Sequence, residues 1–277
     1  MAGRPIGVFD SGLGGLTVVR QLLRRLPGED IVYLGDSARV PYGTKSPDTV
    51  RLFALQDAAF LMRFEPKMVV VACNTASAVA IDALRKAVPV DVVGVVEPAA
   101  AEAVRLAGAG PIGVIGTEGT IASGAYERAI RAADGACPVL LAACPLLVPI
   151  VEEGRPQDDP IVLSVLSDYL HDLQRQRPSV LILGCTHYPL LMGAVAKLMG
   201  PGTALLDPGD VVAAEVERRL AARGELASGH AGVLRCFSTD NPQRFARLAR
   251  RFLGRDCGEV GWVGTDELIR LRPGVES

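Results

Sequence analysis

The chain has 277 residues, 49% of them hydrophobic and 22% charged, enough to bury one large core or two of ordinary size. A formal charge of -2 and a pI near 6.0 exclude a global electrostatic pull toward nucleic acid or anionic membrane. Residues 1–20 hold no signal-like apolar stretch, because Asp10 and its neighbouring glycines interrupt it. The uncharged run Gly135–Val151 is broken by Pro138, Pro145 and Pro149, which argues against a bilayer-spanning helix. The expectation is a soluble, cytoplasmic protein without a membrane partner.

Along the chain, short runs rich in Val and Ile read as strands: 5–9, 31–34, 68–72, 91–95, 111–115, 139–142, 179–183 and 204–206. Helix-like patterns fall among them at 16–25, 47–63, 76–87, 98–107, 119–133, 160–175 and 211–222. Continuous apolar runs of this length suit parallel sheets covered on both faces. Their alternation with helices predicts an α/β fold with right-handed crossovers.

Two halves of the chain echo each other. Ile6-Gly-Val-Phe-Asp-Ser11 returns as Ile112-Gly-Val-Ile-Gly-Thr117, and Val69-Val-Val-Ala-Cys-Asn-Thr75 as Leu181-Ile-Leu-Gly-Cys-Thr-His187. Val/Ile/Gly strings recur by chance, but two echoes in the same order at nearly equal offset favour duplication. Open parallel sheets bind ligands at the carboxyl ends of their strands. Two pseudo-symmetric domains facing each other would therefore place Cys73 and Cys185 on opposite sides of one cleft.

The six cysteines form no C-x-x-C pair, and with three histidines they offer no zinc pattern, so no metal is expected. Cys73, in Ala72-Cys-Asn-Thr-Ala-Ser77, ends a strand and opens a helix. A helix N-terminus favours thiolate, and Asn74 and Thr75 add donors for a ligand carboxylate. Burial as a small apolar residue is the bland alternative. Cys185 sits in Gly184-Cys-Thr-His-Tyr-Pro189, with His187 near enough to assist proton transfer at a thiol. Cys137, Cys144, Cys236 and Cys257 carry no polar constellation and read as packing.

The turn Phe9-Asp-Ser-Gly-Leu-Gly-Gly-Leu-Thr17 is no nucleotide fingerprint: the third glycine is missing, and Asp10 would repel phosphate. Its glycines let backbone approach a small ligand, with Ser11 as a hydrogen bonder and Asp10 as a charge partner. An acidic turn of purely structural use fits the same residues. Gly35–Gly43 reads as a loop, and Glu152-Glu153 as the solvated end of an apolar run. Arg244, Arg247, Arg250, Arg251 and Arg255 form a basic stripe at helical spacing, which a solvated face explains.

Taken together, Gly7–Val18, Gly35–Gly43, Ala72–Ala78, Gly113–Thr117, Val148–Gly154 and Leu183–Leu190 resemble bacterial glutamate racemase, in order from residue 7 to about 207. The resemblance implies two α/β domains, residues 1–97 with 208–277 and residues 98–207. It implies a homodimer that interconverts L- and D-glutamate without pyridoxal phosphate or metal, for peptidoglycan synthesis. Carried over by motif, Cys73 and Cys185 are the proton-transfer thiols. Asp10 assists the first; His187, with Glu152 behind it, assists the second. Substrate binding falls to Asp10, Ser11, Tyr42, Gly43, Asn74, Thr75, Thr120, Thr186 and His187. The usual Asp-Ser after the last strand of the second domain is Asp207-Pro208 here. Some glutamate racemases are associated with gyrase inhibition, a role for which the arginine stripe is weak support.

The chemistry agrees with the resemblance. Inverting an α-carbon requires a base on one face and an acid on the other, and neighbouring donors to stabilise the carbanionic transition state. None of the four lysines, Lys45, Lys67, Lys86 and Lys197, has a context arguing for a Schiff base. An aspartate or hydantoin racemase or a decarboxylase is the nearest rival, although a decarboxylase needs only one protonating thiol. A non-catalytic binding module is the rival of another class.

Overall fold

The structure, a computed structural model, describes residues 3–229 and 231–271, so the outer limits 1 and 277 of the first expected domain lie outside the described residues. Every one of the eight apolar runs is a strand. The first four are β1 (Ile6–Asp10), β2 (Ile31–Gly35), β3 (Met68–Val71) and β4 (Asp91–Gly94). The second four are β5 (Ile112–Gly116), β6 (Val139–Ala143), β7 (Val180–Gly184) and β8 (Ala204–Leu206). All pair in parallel, in two sheets. The order β2-β1-β3-β4 in one recurs as β6-β5-β7-β8 in the other. Ile6 stands in register with Ile31 and Met68, just as Ile112 does with Val139 and Val180. The two sequence echoes thus belong to two copies of one topology.

Two further strands, β9 (Leu234–Ser238) and β10 (Val260–Trp262), extend the first sheet beyond β2. Neither is legible as a sequence pattern. The first, Leu-Arg-Cys-Phe-Ser, is neither a continuous apolar run nor a strict alternation, and the second has three residues.

The crossover helices are α1 (Leu16–Arg25), α2 (Pro47–Met62), α3 (Asn74–Ala87) and α4 (Val96–Ala107) in the first half. The helix expected over 119–133 is two, α5 (Glu118–Ala122) and α6 (Ala125–Ala133), because Gly124 between them takes a left-handed turn at φ 64°. A short helix, α7 (Leu147–Glu152), follows β6, and Glu152, expected at the solvated end of the apolar run, is its last residue. Pro149 is tolerated there because it falls in the first turn, whose N–H groups have no helical partners. Then come α8 (Pro160–Gln176), α9 (Met192–Met199), α10 (Pro208–Ala222), α11 (Pro242–Leu253) and α12 (Thr265–Arg270).

Helix α10 leads the chain from the second sheet back to the first and is pinned to α1 by Arg24–Asp210 at 2.8 Å and Arg25–Glu217 at 2.6 Å. One apolar cluster joins the halves. It runs from Ile6, Leu16 and Tyr33 through Phe245 and Phe252 to Leu147, Leu181 and Tyr188. Burial of this kind, at about 25 cal/mol per Å² of apolar surface, holds both sheets in a common frame around the cleft. Among the described residues no helix is long and apolar enough to cross a membrane.

Candidate active site

The ends of β1, β3 and β7 converge on one cavity, lined by Ser11, Cys73, Asn74 and Thr75 from the first domain and Thr117, Cys185, Thr186 and His187 from the second. Backbone approach makes this meeting possible. A Cβ on Gly14 would lie 2.1 Å from Thr186 Oγ1 and 2.6 Å from the His187 ring, and one on Gly43 would lie 2.6 Å from Thr117 Cβ. Thr17 Oγ1 crosses the same boundary, donating to the Thr186 carbonyl at 3.0 Å.

Cys73 is the N-cap of α3, its sulfur accepting from the Ala76 N–H at 3.5 Å and donating to Ser11 Oγ at 3.8 Å. The helix-terminus argument expected a thiol of lowered pKa, and the structure corrects it. Burial first, then the nearby Asp10 carboxylate, push Cys73 up to about 12, against smaller opposing hydrogen bonds. The folded environment therefore favours the neutral thiol. Asp10 Oδ2 accepts from Gly12 N–H at 3.1 Å and Gly15 N–H at 3.0 Å. Its Oδ1 is buried with no hydrogen-bond partner among the described residues. Burial raises the Asp10 carboxyl above its ordinary range, opposed by the His187 charge and the loop N–H groups.

The second thiol is built differently. His187 Nδ1 lies 3.8 Å from Cys185 Sγ and 3.5 Å from Thr186 Oγ1, while Nε2 meets Glu152 Oε1 at 3.1 Å. Phe252 packs edge-on against the imidazole, with centroids 5.3 Å apart. Burial pulls the His187 pKa down, but the hydrogen bonds to Cys185 and Glu152 outweigh it and lift it to about 10. Glu152 is held below its usual range by the same bond to His187, with a further contribution from Arg244. The imidazole is thus an imidazolium near neutral pH.

The remaining sequence candidates sort by depth. Asn74 accepts a 2.6 Å hydrogen bond from Tyr126 on α6, which fixes its amide across the domain boundary. Thr75, Thr117 and Thr120 share hydroxyl contacts of 3.0–3.1 Å. Thr117 is on the cavity wall, whereas Thr120 stands one hydrogen bond behind it. Tyr42 and Gly43 line the cavity, yet the Tyr42 hydroxyl turns away from it, to Asp36 and Asp57. Glu152 reaches the site through His187. It also lines an outer cavity of about 350 Å³ with Val40, Pro41, Val148 and Pro149.

Sequence reasoning missed Thr117 as a lining residue, although the repeat aligns it with Ser11. It also missed Val40, Pro41 and Val148, which carry no chemical signature. A larger cavity, about 500 Å³ between α3, α4 and α6, contains neither thiol and is lined by six alanines together with Asp82, Glu97, Arg128 and four other residues. Among the described residues no group of three or more His, Cys, Asp or Glu side chains could hold a metal ion. The arginine stripe lies on α11 and just beyond it, outside the buried face of Phe245, Ala249, Phe252 and Leu253. Arg251 is the exception, donating to the Arg155 carbonyl at 2.9 Å.

Comparison with known proteins gives one consistent result. Residues 6–216 match the family model described as Asp/Glu/Hydantoin racemase. The chain is 44% identical to a glutamate racemase of Geobacter metallireducens over 268 residues, 96% of this chain and 98% of that one. It superposes on glutamate racemase isoform RacE1 of Bacillus anthracis with a TM-score of 0.90 at 38% identity, covering 95% of this chain and 98% of the other. A Francisella tularensis glutamate racemase solved with D-glutamate gives a TM-score of 0.90 at 37% identity, covering 96% and 99%.

Proposed function

From the premise that the chain belongs to the Asp/Glu/Hydantoin racemase family, as an amino-acid racemase of the glutamate racemase kind, we propose that it inverts free glutamate between the Cys73 and Cys185 thiols. One observation carries this reading. Two cysteines, each just beyond the carboxyl end of equivalent strands β3 and β7, line a single cavity from opposite domains.

In each turnover one sulfur, as thiolate, takes the α-proton while the other, as thiol, delivers its own proton to the opposite face. The C–H bond electrons pass into the α-carbanion, and the new C–H bond consumes them, so no redox partner is needed. Product leaves the two sulfurs with exchanged protonation, ready for the reverse direction. Ser11, Asn74, Thr75, Thr117 and Thr186 offer donors for the substrate carboxylates and the charge that builds up on them. The unpartnered Oδ1 of Asp10 is an acceptor available to the substrate ammonium or to the Cys73 proton. The His187 imidazolium, held by Glu152, donates toward Cys185. Pyridoxal phosphate and metal have no part in this scheme.

D-Glutamate made this way would serve peptidoglycan synthesis, and the chain would act as a cytoplasmic homodimer. The test is exchange of L-glutamate in D2O without added cofactor, beside Cys73→Ala and Cys185→Ala. The expected product is α-deuterated D-glutamate, lost in both variants. Turnover of aspartate in place of glutamate would discard the substrate, and exchange surviving either substitution would discard the two-thiol scheme.

A further inference from the structure

Beneath the loop that follows β2 lies a buried cluster that the proton-transfer scheme does not use. Arg39 Nε donates to Asp36 Oδ2 at 2.7 Å and Arg39 Nη2 to Asp57 Oδ1 at 2.8 Å. Thr239 Oγ1, beyond β9, donates to Asp36 Oδ1 at 3.0 Å. The Tyr42 hydroxyl stands between the carboxyls, in hydrogen-bond contact with Asp36 Oδ2 and 2.8 Å from Asp57 Oδ2. Arg39 also bonds Gln56 and lies 4.2 Å over the Phe53 ring. Both carboxyl side chains are wholly buried, and Arg39 is 10% exposed.

Counting protons leads further. A tyrosine hydroxyl has one hydrogen and makes one linear donation. Two close oxygen–oxygen contacts, with two buried carboxyls facing one guanidinium, call for a second proton on a carboxyl. Asp36 Oδ2 already accepts from Arg39, whereas Asp57 Oδ2 has Tyr42 as its one hydrogen-bond partner among the described residues. The consistent arrangement has Tyr42 donating to Asp36 and an Asp57 carboxylic acid donating to the Tyr42 oxygen. Charge agrees, because one guanidinium then faces one carboxylate in a buried neutral set, whereas two carboxylates would leave an uncompensated buried charge. The charged and titratable groups facing Asp57 are Asp36, Arg39 and Tyr42 from the loop, with Tyr33 on β2 beyond them. Burial, then the Asp36 charge, hold Asp57 well above the usual carboxylate range in spite of Arg39.

The loop bridged in this way carries Val40, Pro41, Tyr42 and Gly43 into the cavity wall, and Gly43 closes against Thr117. We propose that Asp57 is a positioning residue held as a neutral acid, whose proton fastens this loop as the substrate-facing wall, so that its loss weakens glutamate binding. The binding part rests on the racemase reading above; the proton itself does not.

Two measurements separate them. Infrared spectroscopy of the protein near neutral pH is expected to show a buried carboxylic-acid C=O band that disappears in Asp57→Asn and shifts in Tyr42→Phe. Steady-state kinetics near neutral pH is expected to show KM for glutamate raised about tenfold in Asp57→Ala, while Asp57→Asn, which keeps a donor toward the Tyr42 oxygen, stays close to the wild type. kcat is expected to change little in either variant, so the split between KM and kcat reports the wall rather than the proton transfer. Absence of the acid band, or its persistence in Asp57→Asn, overturns the assignment of the proton. A KM in Asp57→Ala equal to that of the wild type overturns its role in binding. A protein inert toward glutamate would sink the racemase reading, and the infrared band would still decide whether Asp57 holds a proton.

Discussion

The two thiols occupy equivalent places in a duplicated fold, but their surroundings are of opposite sign. Cys73 caps α3 beside the Asp10 carboxylate, which with burial drives its pKa up to about 12. Cys185 lies beside an imidazole raised to about 10 by its bonds to Cys185 and Glu152. The repeated topology supplies the two positions, and the different neighbours, Asp10 on one side and His187 on the other, make their surroundings unequal. In the proposed mechanism, a cleft with identical neighbours would offer no preference for which sulfur begins as the acid. Here an anion favours the neutral thiol on one side, and a cation faces the sulfur on the other.

The strongest way to break the comparison is to remove a sulfur. Cys73→Ala and Cys185→Ala are each expected to cut racemisation by about 10³-fold or more, the scale of a lost acid or base. A chiral assay of D-glutamate formation with either variant at near wild-type rate would end the two-sided model. Next in size are the helpers. Asp10→Asn and His187→Asn are expected to lower kcat by about 10²-fold, in opposite directional senses. Asp10→Asn should slow most the direction in which Cys73 is the base, because an amide cannot take the Cys73 proton as the carboxylate can, and His187→Asn the direction in which Cys185 is, because the cation facing that thiolate is lost. Forward and reverse kcat for both enantiomers test this, and equal losses in both directions would contradict the pairing.

A smaller effect is expected from Glu152→Gln, because this change leaves the imidazole but removes the carboxylate that helps keep it charged. An alkaline limb of the pH–rate profile is expected where His187 loses its proton, near pH 10 in the wild type, and about one unit lower in Glu152→Gln. The stability linked to His187 runs the same way. A raised folded pKa contributes fully below the unfolded value of about 6.5 and is lost as pH rises through about 10. Chemical denaturation across that range would detect it. The mildest change is Thr117→Ser, which keeps the hydroxyl shared with Thr75 and Thr120 and should alter KM by no more than about threefold. Thr117→Ala, measured beside it, should raise KM by about tenfold.

Much of this site is local in sequence. Asp10 with Ser11, Cys73 with Asn74 and Thr75, and Cys185 with Thr186 and His187 each sit within four residues of a strand end. A strand end is legible because an apolar run stops there. Glu152 was weaker as a sequence signal, since its partner His187 is 35 residues away and the short helix carrying it contains Pro149. Thr117 was present in the repeat but lacked a chemical cue of its own. The sign of the Cys73 shift was misjudged because a helix terminus is a local feature. Burial and the neighbouring Asp10 charge, which outweigh it, are products of packing.

Composition and periodicity alone determined a parallel α/β protein built twice, with a cysteine beyond an equivalent strand in each half, because apolar runs and their ends are properties of short segments. Packing decided which charge stands beside which sulfur, that Tyr42 turns its hydroxyl onto a buried carboxyl pair, and that β9 and β10 complete the first sheet. Those outcomes depend on groups from separate elements, such as Asp10 with Cys73, Glu152 with His187 and β2 with β9, sharing one low-dielectric space, where burial and Coulomb energy outweigh any local preference.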